Sequence, residues 1–163
     1  IGSDENLRDV FRLEITESVG TLRAAFDAGV PLATGSESGF SLTPYGDWHY
    51  RELQVFVEDL GMTPLQAINS ATEQGARALK LEGELGCIKP DYLADILIFA
   101  GEPETHISQL GEADRWRPIS KDGRLVDSST PLPKEWQLPG WRVSEYSERI
   151  LTKELVQSMG LNP

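Results

Sequence analysis

The residue best suited to chemistry is a glutamate in a glycine-rich segment. Glu37 follows the apolar run 30–34 and lies between Gly35 and Gly39. Functional groups gather at the carboxyl ends of strands in folds built from parallel strands. A carboxylate at such a point could bind a metal ion or take a proton from water. The simpler alternative is that Glu37 only caps its own loop, and the local sequence leaves both open.

Three side chains downstream of this loop could contact a substrate: Tyr45, Trp48 and His49. Tyr45 and Trp48 could line a pocket, although aromatic residues beside a loop more often anchor it to the core. His49 could reach a substrate group, or it could pack and hydrogen-bond locally. For the nearby residues Arg51 and Glu52, we expect an ordinary ion pair rather than a catalytic role.

Helices and one strand would position these residues. Apolar spacing predicts a helix over 9–28 that ends before Gly29, followed by a buried strand over 30–34. Asp47 can cap a second helix, which would bury one apolar face and end at Gly61. The site loop would therefore lie between the strand and the second helix.

The segment Thr63-Pro64-Leu65-Gln66 has the form of a capping box, with proline at the first helical position. It predicts a third helix that continues to about Leu79. Near Leu85 the pattern changes to short strands and loops. We therefore divide the chain into residues 1–84, 85–127 and 128–163.

The middle region has the pattern of short β-strands. Residues 94–99 are rich in β-formers, and a strand pair is predicted over 117–120 and 125–127. Lys121-Asp122-Gly123-Arg124 joins the pair, and Asp-Gly favours turns whose twist matches that of the strands. In the third region, a proline-containing linker should lead into a carboxy-terminal helix.

The composition argues against nucleic acid and membrane partners. The 163 residues include 26 acidic and 15 basic side chains, and the net charge of -11 would repel phosphate backbones and anionic lipids. No apolar run reaches the roughly 18 residues that a membrane helix needs. The one cysteine, Cys87, cannot form a disulfide within the chain, so we expect a cytoplasmic protein.

Several short motifs occur in a fixed order between Leu22 and Val126. They are Gly35-Ser36-Glu37, Thr43-Pro44-Tyr45-Gly46, Trp48-His49, Arg51-Glu52-Leu53, Gly61-Met62-Thr63-Pro64, Ala76-Arg77-Ala78-Leu79, Gly86-Cys87-Ile88-Lys89-Pro90 and Leu93-Ala94-Asp95-Ile96-Leu97. This order resembles the amidohydrolase superfamily. Within it, the resemblance is to the branch that holds imidazolonepropionase and the Xaa-Pro dipeptidase-like enzymes.

The resemblance implies a fold and a cofactor. Enzymes of that superfamily have a (β/α)8 barrel with one or two divalent metals, usually zinc, and a small β-sandwich built from both ends of the chain. Here 30–34 would be the last barrel strand, and 86–127 would be half of the sandwich. The expected fold class is therefore α/β, the C-terminal fragment of a TIM-like barrel plus the C-terminal half of a β-sandwich domain.

Two departures from the family pattern affect the chemistry. The family's last strand ends in Gly-Thr-Asp or Gly-Ser-Asp, whose aspartate binds metal and handles the proton of the attacking water, whereas this chain has Glu37. The extra methylene shifts the carboxylate by about 1.5 Å, beyond the tolerance of about 0.5 Å for a catalytic group. Neither of the two histidines, His49 and His106, follows a candidate strand. We expect the family's other metal ligands to precede Ile1.

The sequence therefore predicts the C-terminal part of a metal-dependent hydrolase that attacks carbon–nitrogen bonds of amides, cyclic amides or dipeptides with a metal-activated water. Glu37 would be catalytic and would bind zinc or another divalent metal, while Tyr45, Trp48 and His49 would contact the substrate. Alone the chain would be inactive, because it would need the missing N-terminal part of the barrel. Self-association to a homo-oligomer is also open. The alternative is a non-catalytic homologue, or a truncated fragment, that serves as a binding or assembly module.

Overall fold

The computed structural model describes residues 4–38 and 48–127. Within these residues, four α-helices are followed by two short 3₁₀ helices and a β-hairpin. The helices are α1 (Asp4–Asp27), α2 (Trp48–Glu58), α3 (Pro64–Ala71) and α4 (Glu73–Ala78), the 3₁₀ helices are Ile107–Gly111 and Ala113–Arg115, and the strands are β1 (Ser120–Lys121) and β2 (Arg124–Leu125). The predicted linker and helix of the third region lie outside the described residues.

The first helix ends as the sequence predicts. Gly29 has a φ of +79°, a conformation that glycine adopts without a steric penalty. Its N–H donates to the carbonyl of Phe26 at 2.8 Å, and the N–H of Val30 donates to that of Ala25 at 2.9 Å. These two backbone hydrogen bonds together form a Schellman motif. It turns the chain sharply into the segment that leads to the site loop.

The segment 30–34 is extended, but it does not belong to a sheet. Its side chains alternate between exposed and half-buried along 31–34, as in a strand with one covered face. The N–H of Thr34 donates to the carbonyl of Ser70, at 3.4 Å. A strand needs neighbours to pair its backbone groups, and the described part of the chain contains one sheet, the hairpin β1–β2. The extended conformation agrees with the prediction of a strand over 30–34, and the pairing of this strand within a barrel sheet stays a prediction.

The capping box before α3 is confirmed. The N–H of Gln66 donates to Thr63 Oγ1 at 3.3 Å, and the N–H of Thr63 donates to Gln66 Oε1 at 2.8 Å. The prediction that this helix continues to about Leu79 is wrong, because Thr72 interrupts it. Thr72 leaves helical geometry, with φ of -119° and ψ of -86°, and its hydroxyl donates to the carbonyl of Ile68 at 2.8 Å. Such side-chain bonds compete with the helix's own backbone bonds.

One hydrophobic core holds the helices together. Its buried residues are Leu53, Phe56, Leu60, Met62, Ala67 and Ile107, and Val19, Phe26 and Leu32 are among the partly buried residues that pack against them. Burying one large apolar side chain contributes about 1.5–3 kcal/mol. Because α2 supplies Leu53 and Phe56 to this core, the helix is held firmly beside the extended segment.

A close backbone approach joins the helices to the second region. Gly86 has a φ of +89°, and a Cβ added to it would lie 2.9 Å from the Ala76 side chain and 2.9 Å from the Thr72 carbonyl. Only a residue without a side chain fits against α4 at that distance. Beyond Gly86, large apolar side chains such as Ile88 and Leu125 are exposed.

The Asp-Gly turn forms the predicted hairpin. Asp122 and Gly123 have φ values of 52° and 73°, as a two-residue type I′ turn requires. The register pairs Ser120 with Leu125 and Lys121 with Arg124, so the strands are shorter than predicted. The β-rich run 94–99 pairs only through isolated bridges, one of them between Ile96 and Ser120.

Candidate active site

Glu37 lies at the end of the extended segment in a strained conformation. Its φ is 47°, in the left-handed region that residues with a side chain rarely adopt. The residue is exposed to solvent. Such backbone outliers persist when surrounding contacts hold them, and they cluster at functional sites. The contacts of the preceding loop residues therefore decide how Glu37 is presented.

The first of these contacts comes from His49 in the opening turn of α2. Ser36 Oγ lies 3.2 Å from His49 Nδ1 and 2.9 Å from Ser38 Oγ. The histidine is exposed to solvent. A residue predicted to contact substrate therefore touches the loop that carries Glu37. The structure brings these two sequence-predicted site residues into the same neighbourhood.

The second contact comes from Glu52, one turn further along α2. Its Oε1 accepts a hydrogen bond from the Gly35 N–H at 2.8 Å. The other carboxylate oxygen, Oε2, is buried and has no hydrogen-bond partner within the described residues. Burial raises the pKa of Glu52, opposed by the bond from Gly35 and by the charge of His49. Glu52 thus holds the backbone two residues before Glu37.

The expectation of an ion pair between Arg51 and Glu52 is wrong. No such pair forms, although both residues are described. The guanidinium of Arg51 lies 6.0 Å from the centre of the Tyr50 ring instead. A sequence signal for the role of Glu52 does exist. It lies three residues after His49, so a helix places both side chains on one face, towards the same loop.

The remaining predicted substrate contacts are only partly located. Trp48 begins α2 and is half-buried beside His49. Tyr45 lies outside the described residues, so its predicted role stays a prediction. His106 hydrogen-bonds through Nδ1 to Thr105 Oγ1 at 2.8 Å, in the second region of the chain.

A metal ion would not be held by the described residues alone. Among residues 4–38 and 48–127, no group of three or more histidine, cysteine, aspartate or glutamate side chains is placed to bind one. A structural or catalytic zinc site needs at least three protein ligands. Glu37 could therefore be one ligand, and its metal-binding role stays a prediction.

A shallow cavity of about 400 Å³ lies away from these residues. It is formed by the end of α1, the segment 29–32 and α3, with side chains that include Phe26 and Leu65. Glu37, Trp48 and His49 do not line it. We therefore place the candidate active site at the loop and the first turns of α2, where the polar groups converge.

Within the described ranges, no helix has both the length and the apolar character needed to cross a membrane.

The sequence profile of the amidohydrolase family matches residues 10–126, which include the extended segment, the site loop, α2 and the hairpin. This chain belongs to the amidohydrolase family. The assignment confirms the resemblance that the ordered motifs indicate. It also places Glu37, His49 and Glu52 inside the matched part of this amidohydrolase.

Curated relatives with similar sequences include several enzymes. An imidazolonepropionase of Cutibacterium acnes is 32% identical over 146 residues, which cover 79% of this chain and 35% of that enzyme. An adenine deaminase of Halalkalibacterium halodurans is 28% identical over 153 residues, covering 85% of this chain and 24% of the enzyme. An ochratoxinase of Aspergillus niger is 32% identical over 104 residues, covering 63% and 21%. This amidohydrolase chain thus spans between 21% and 35% of the length of these relatives.

Solved structures give the same assignment. A Xaa-Pro dipeptidase with bound methionine matches with a TM-score of 0.57 and 32% identity, over 67% of this chain and 25% of that one. A prolidase complexed with N-methylphosphonate-L-proline matches with a TM-score of 0.58 and 27% identity, over 67% and 26%. These neighbours support a superfamily of TIM-barrel type. The described residues of this chain show helices and one small sheet rather than a barrel.

Proposed function

We propose that the full-length form of this protein is a metal-dependent hydrolase that cleaves a carbon–nitrogen bond in an amide, a cyclic amide or a dipeptide. One observation carries the proposal. Glu37 follows the extended segment in a left-handed conformation, and the two residues before it are hydrogen-bonded to the first turns of α2. A carboxylate presented from a held loop is suited to general acid–base chemistry, which needs a group at a defined position.

The names of the relatives support the choice of bond. Imidazolonepropionase, adenine deaminase and Xaa-Pro dipeptidase denote enzymes whose substrates are imidazolonepropionate, adenine and dipeptides. In each case water can replace nitrogen on a carbon atom. The substrates differ in size and shape, so the family alone does not select among them. The substrate class proposed here is therefore the shared bond type.

In this proposal Glu37 takes a proton from the attacking water and returns it to the leaving nitrogen. Trp48 and His49, together with Tyr45, would contact the substrate from the start of α2 and the loop before it. A divalent metal, zinc or another, would supply an activated water. Its further ligands would have to come from outside the described residues, which hold no group of three suitable side chains.

The test uses the purified, zinc-loaded full-length protein and a panel of N-acyl amino acids, dipeptides and cyclic amides. Glu37→Gln should lower kcat by about 10²- to 10⁴-fold, the range for loss of a general acid–base group, because an amide cannot take the proton. If the native protein is active, its active site must be shaped around the longer side chain, so Glu37→Asp should also lower kcat. If the native protein is only weakly active, Glu37→Asp should raise kcat, because the shorter side chain restores the family's geometry. Circular dichroism checks that both variants fold.

Glu58→Gln is the matched control. Glu58 is an exposed carboxylate on α2, and Gln54 donates to it at 2.8 Å, so its loss should leave kcat unchanged. Hydrolysis that is equal in both folded Glu37 variants and in the native protein would remove Glu37 from the mechanism. A native protein that hydrolyses nothing in the panel would favour a non-catalytic binding or assembly module.

A further inference from the structure

Two hydrogen bonds tie the site loop to one face of α2. Glu52 Oε1 accepts from the Gly35 N–H at 2.8 Å, and Ser36 Oγ lies 3.2 Å from His49 Nδ1. Gly35 and Ser36 are consecutive, and His49 and Glu52 are three positions apart on the helix, so the two bonds run side by side. The residue that follows immediately is Glu37. The position of the Glu37 backbone therefore depends on where α2 holds Gly35 and Ser36.

The helix end of this connection is rigid. Leu53 and Phe56, which follow Glu52 on α2, are only 7% and 6% exposed and belong to the central core. Close-packed core side chains fix the backbone that carries them. The carboxylate of Glu52 therefore links the loop to a helix that is packed into the central core.

The bond from Glu52 is poorly explained as a device for stability. Its Oε2 is buried without a hydrogen-bond partner within the described residues, and an unsatisfied buried polar atom destabilises a folded protein. Gly35 is exposed, so water can satisfy its N–H without any help from a carboxylate. What water cannot do is hold the loop at one fixed distance from α2.

We propose that Glu52 is a positioning residue for the hydrolysis, holding the Gly35-Ser36-Glu37 backbone so that the Glu37 carboxylate meets the reacting atoms. This inference rests on the proposed function. Glu52 acts through Gly35 and does not touch the substrate. Its removal should therefore affect turnover and leave substrate binding and folding almost unchanged.

The experiment compares Glu52→Leu and Glu52→Gln in the full-length, metal-loaded protein. Leucine has similar volume and no acceptor, so kcat should fall about 10- to 100-fold, as expected when a catalytic group moves by about 1 Å. KM should stay within about twofold, and the melting temperature should not fall, because a buried unsatisfied oxygen has been removed. Glutamine keeps a carbonyl oxygen for Gly35, so it should restore kcat to within about threefold of the native value.

Glu58→Gln on the same helix is the control and should leave kcat, KM and melting temperature unchanged. A Glu52→Leu protein with native kcat would overturn the inference while the proposed function stands. An equal loss of kcat in Glu52→Leu and Glu52→Gln would also overturn it, because the role of Glu52 would then be electrostatic. A loss of kcat together with a lower melting temperature, or a failure to fold, would overturn it as well, because the role would then be structural.

Amide hydrogen exchange at Gly35 tests the inference without any substrate. Exchange should be slow in the native protein and in Glu52→Gln, and faster in Glu52→Leu, with no difference in Glu58→Gln. If the native protein hydrolyses nothing in the panel, the proposed function fails and this exchange pattern still decides whether Glu52 holds the loop. Equal exchange in all four proteins would overturn the inference.

Discussion

Two carboxylates in this chain each accept a backbone N–H from a distant loop, yet their pKa values move in opposite directions. Asp95 accepts from the Asp122 N–H at 2.7 Å, and its second oxygen pairs with the Lys121 ammonium. The Lys121 hydrogen bond and then the Asp122 bond lower the pKa of Asp95. Burial raises the pKa of Glu52, whose second oxygen has no partner within the described residues.

The difference separates a structural clamp from a candidate site. Both oxygens of Asp95 are partnered near the surface, so the group stays ionised and ties the hairpin turn to the β-rich run before it. Glu52 has one bond of similar length and one buried oxygen without a partner. Unsatisfied buried groups are rare and need an explanation, and perturbed pKa values concentrate at functional sites. In both regions a carboxylate accepts a backbone N–H, but at Asp95 this bond serves stability, and at Glu52 it belongs to the candidate site.

The largest effect should come from Gly86→Ala, because Gly86 joins the region of Glu52 to that of Asp95. The positive φ and the 2.9 Å approach to the Thr72 carbonyl should together lower the free energy of unfolding by about 2–5 kcal/mol. Gly29→Ala is the control, since its φ is also positive but nothing lies within 4 Å of the added methyl. It should cost only about 1–2 kcal/mol.

Urea unfolding of the full-length protein measures both changes. Equal destabilisation by the two alanines would show that Gly86 is only a strained turn. The two regions would then not be joined by close packing at this point.

The opposite pKa shifts should give opposite pH dependences of stability. The pKa of Glu52 is raised above its ordinary value of 4.5. The contribution of Glu52 to the free energy of unfolding is therefore fully present below pH 4.5 and is lost as pH rises through the folded-state pKa. The pKa of Asp95 is lowered below 3.8. Its contribution is therefore present above pH 3.8 and is lost as pH falls through the folded-state pKa.

Chemical unfolding at a series of pH values should resolve the two terms. In Glu52→Gln, the free energy of unfolding should decline less steeply as pH rises above 4.5. In Asp95→Asn, it should decline less steeply as pH falls below 3.8. The same change of slope in both variants would contradict the proposed contrast between the carboxylates.

The smallest effect should come from Ser36→Ala, which removes the hydroxyl that faces His49 and Ser38. These bonds are near the surface, so the free energy of unfolding should fall by about 0.5–1 kcal/mol. A double-mutant cycle with His49→Ala should show a coupling of about 0.5 kcal/mol or more. Additive changes would mean that the loop is held by Glu52 without help from His49.

Several local features could be predicted because their hydrogen bonds join residues close in sequence. The helix end at Gly29, the capping box at Thr63 and the turn at Asp122-Gly123 each form as predicted. The helix break at Thr72 was missed, although it is equally local. Threonine is tolerated in helices often enough that one hydroxyl does not predict a break.

The order of motifs also determined the family, because it records a whole fold rather than one contact. It did not determine the state of segment 30–34, since backbone groups of a strand are paired by neighbours far away in sequence. In the described structure, that segment is extended without a sheet partner. The pairing of segment 30–34 and the contact between Glu52 and Gly35 both depend on residues far apart in sequence, so local patterns predict neither.

From the sequence alone one could predict the end of α1 at Gly29, the capping box of α3, the hairpin turn, the family and the candidate carboxylate Glu37. The packing of the elements determines that Glu52 accepts a hydrogen bond from the Gly35 N–H and forms no ion pair with Arg51. An adjacent charge suggests an ion pair, but the core packing of α2 sets the direction in which Glu52 points. Contacts between residues 17 apart depend on how the elements pack, and a local pattern carries no information about that distance.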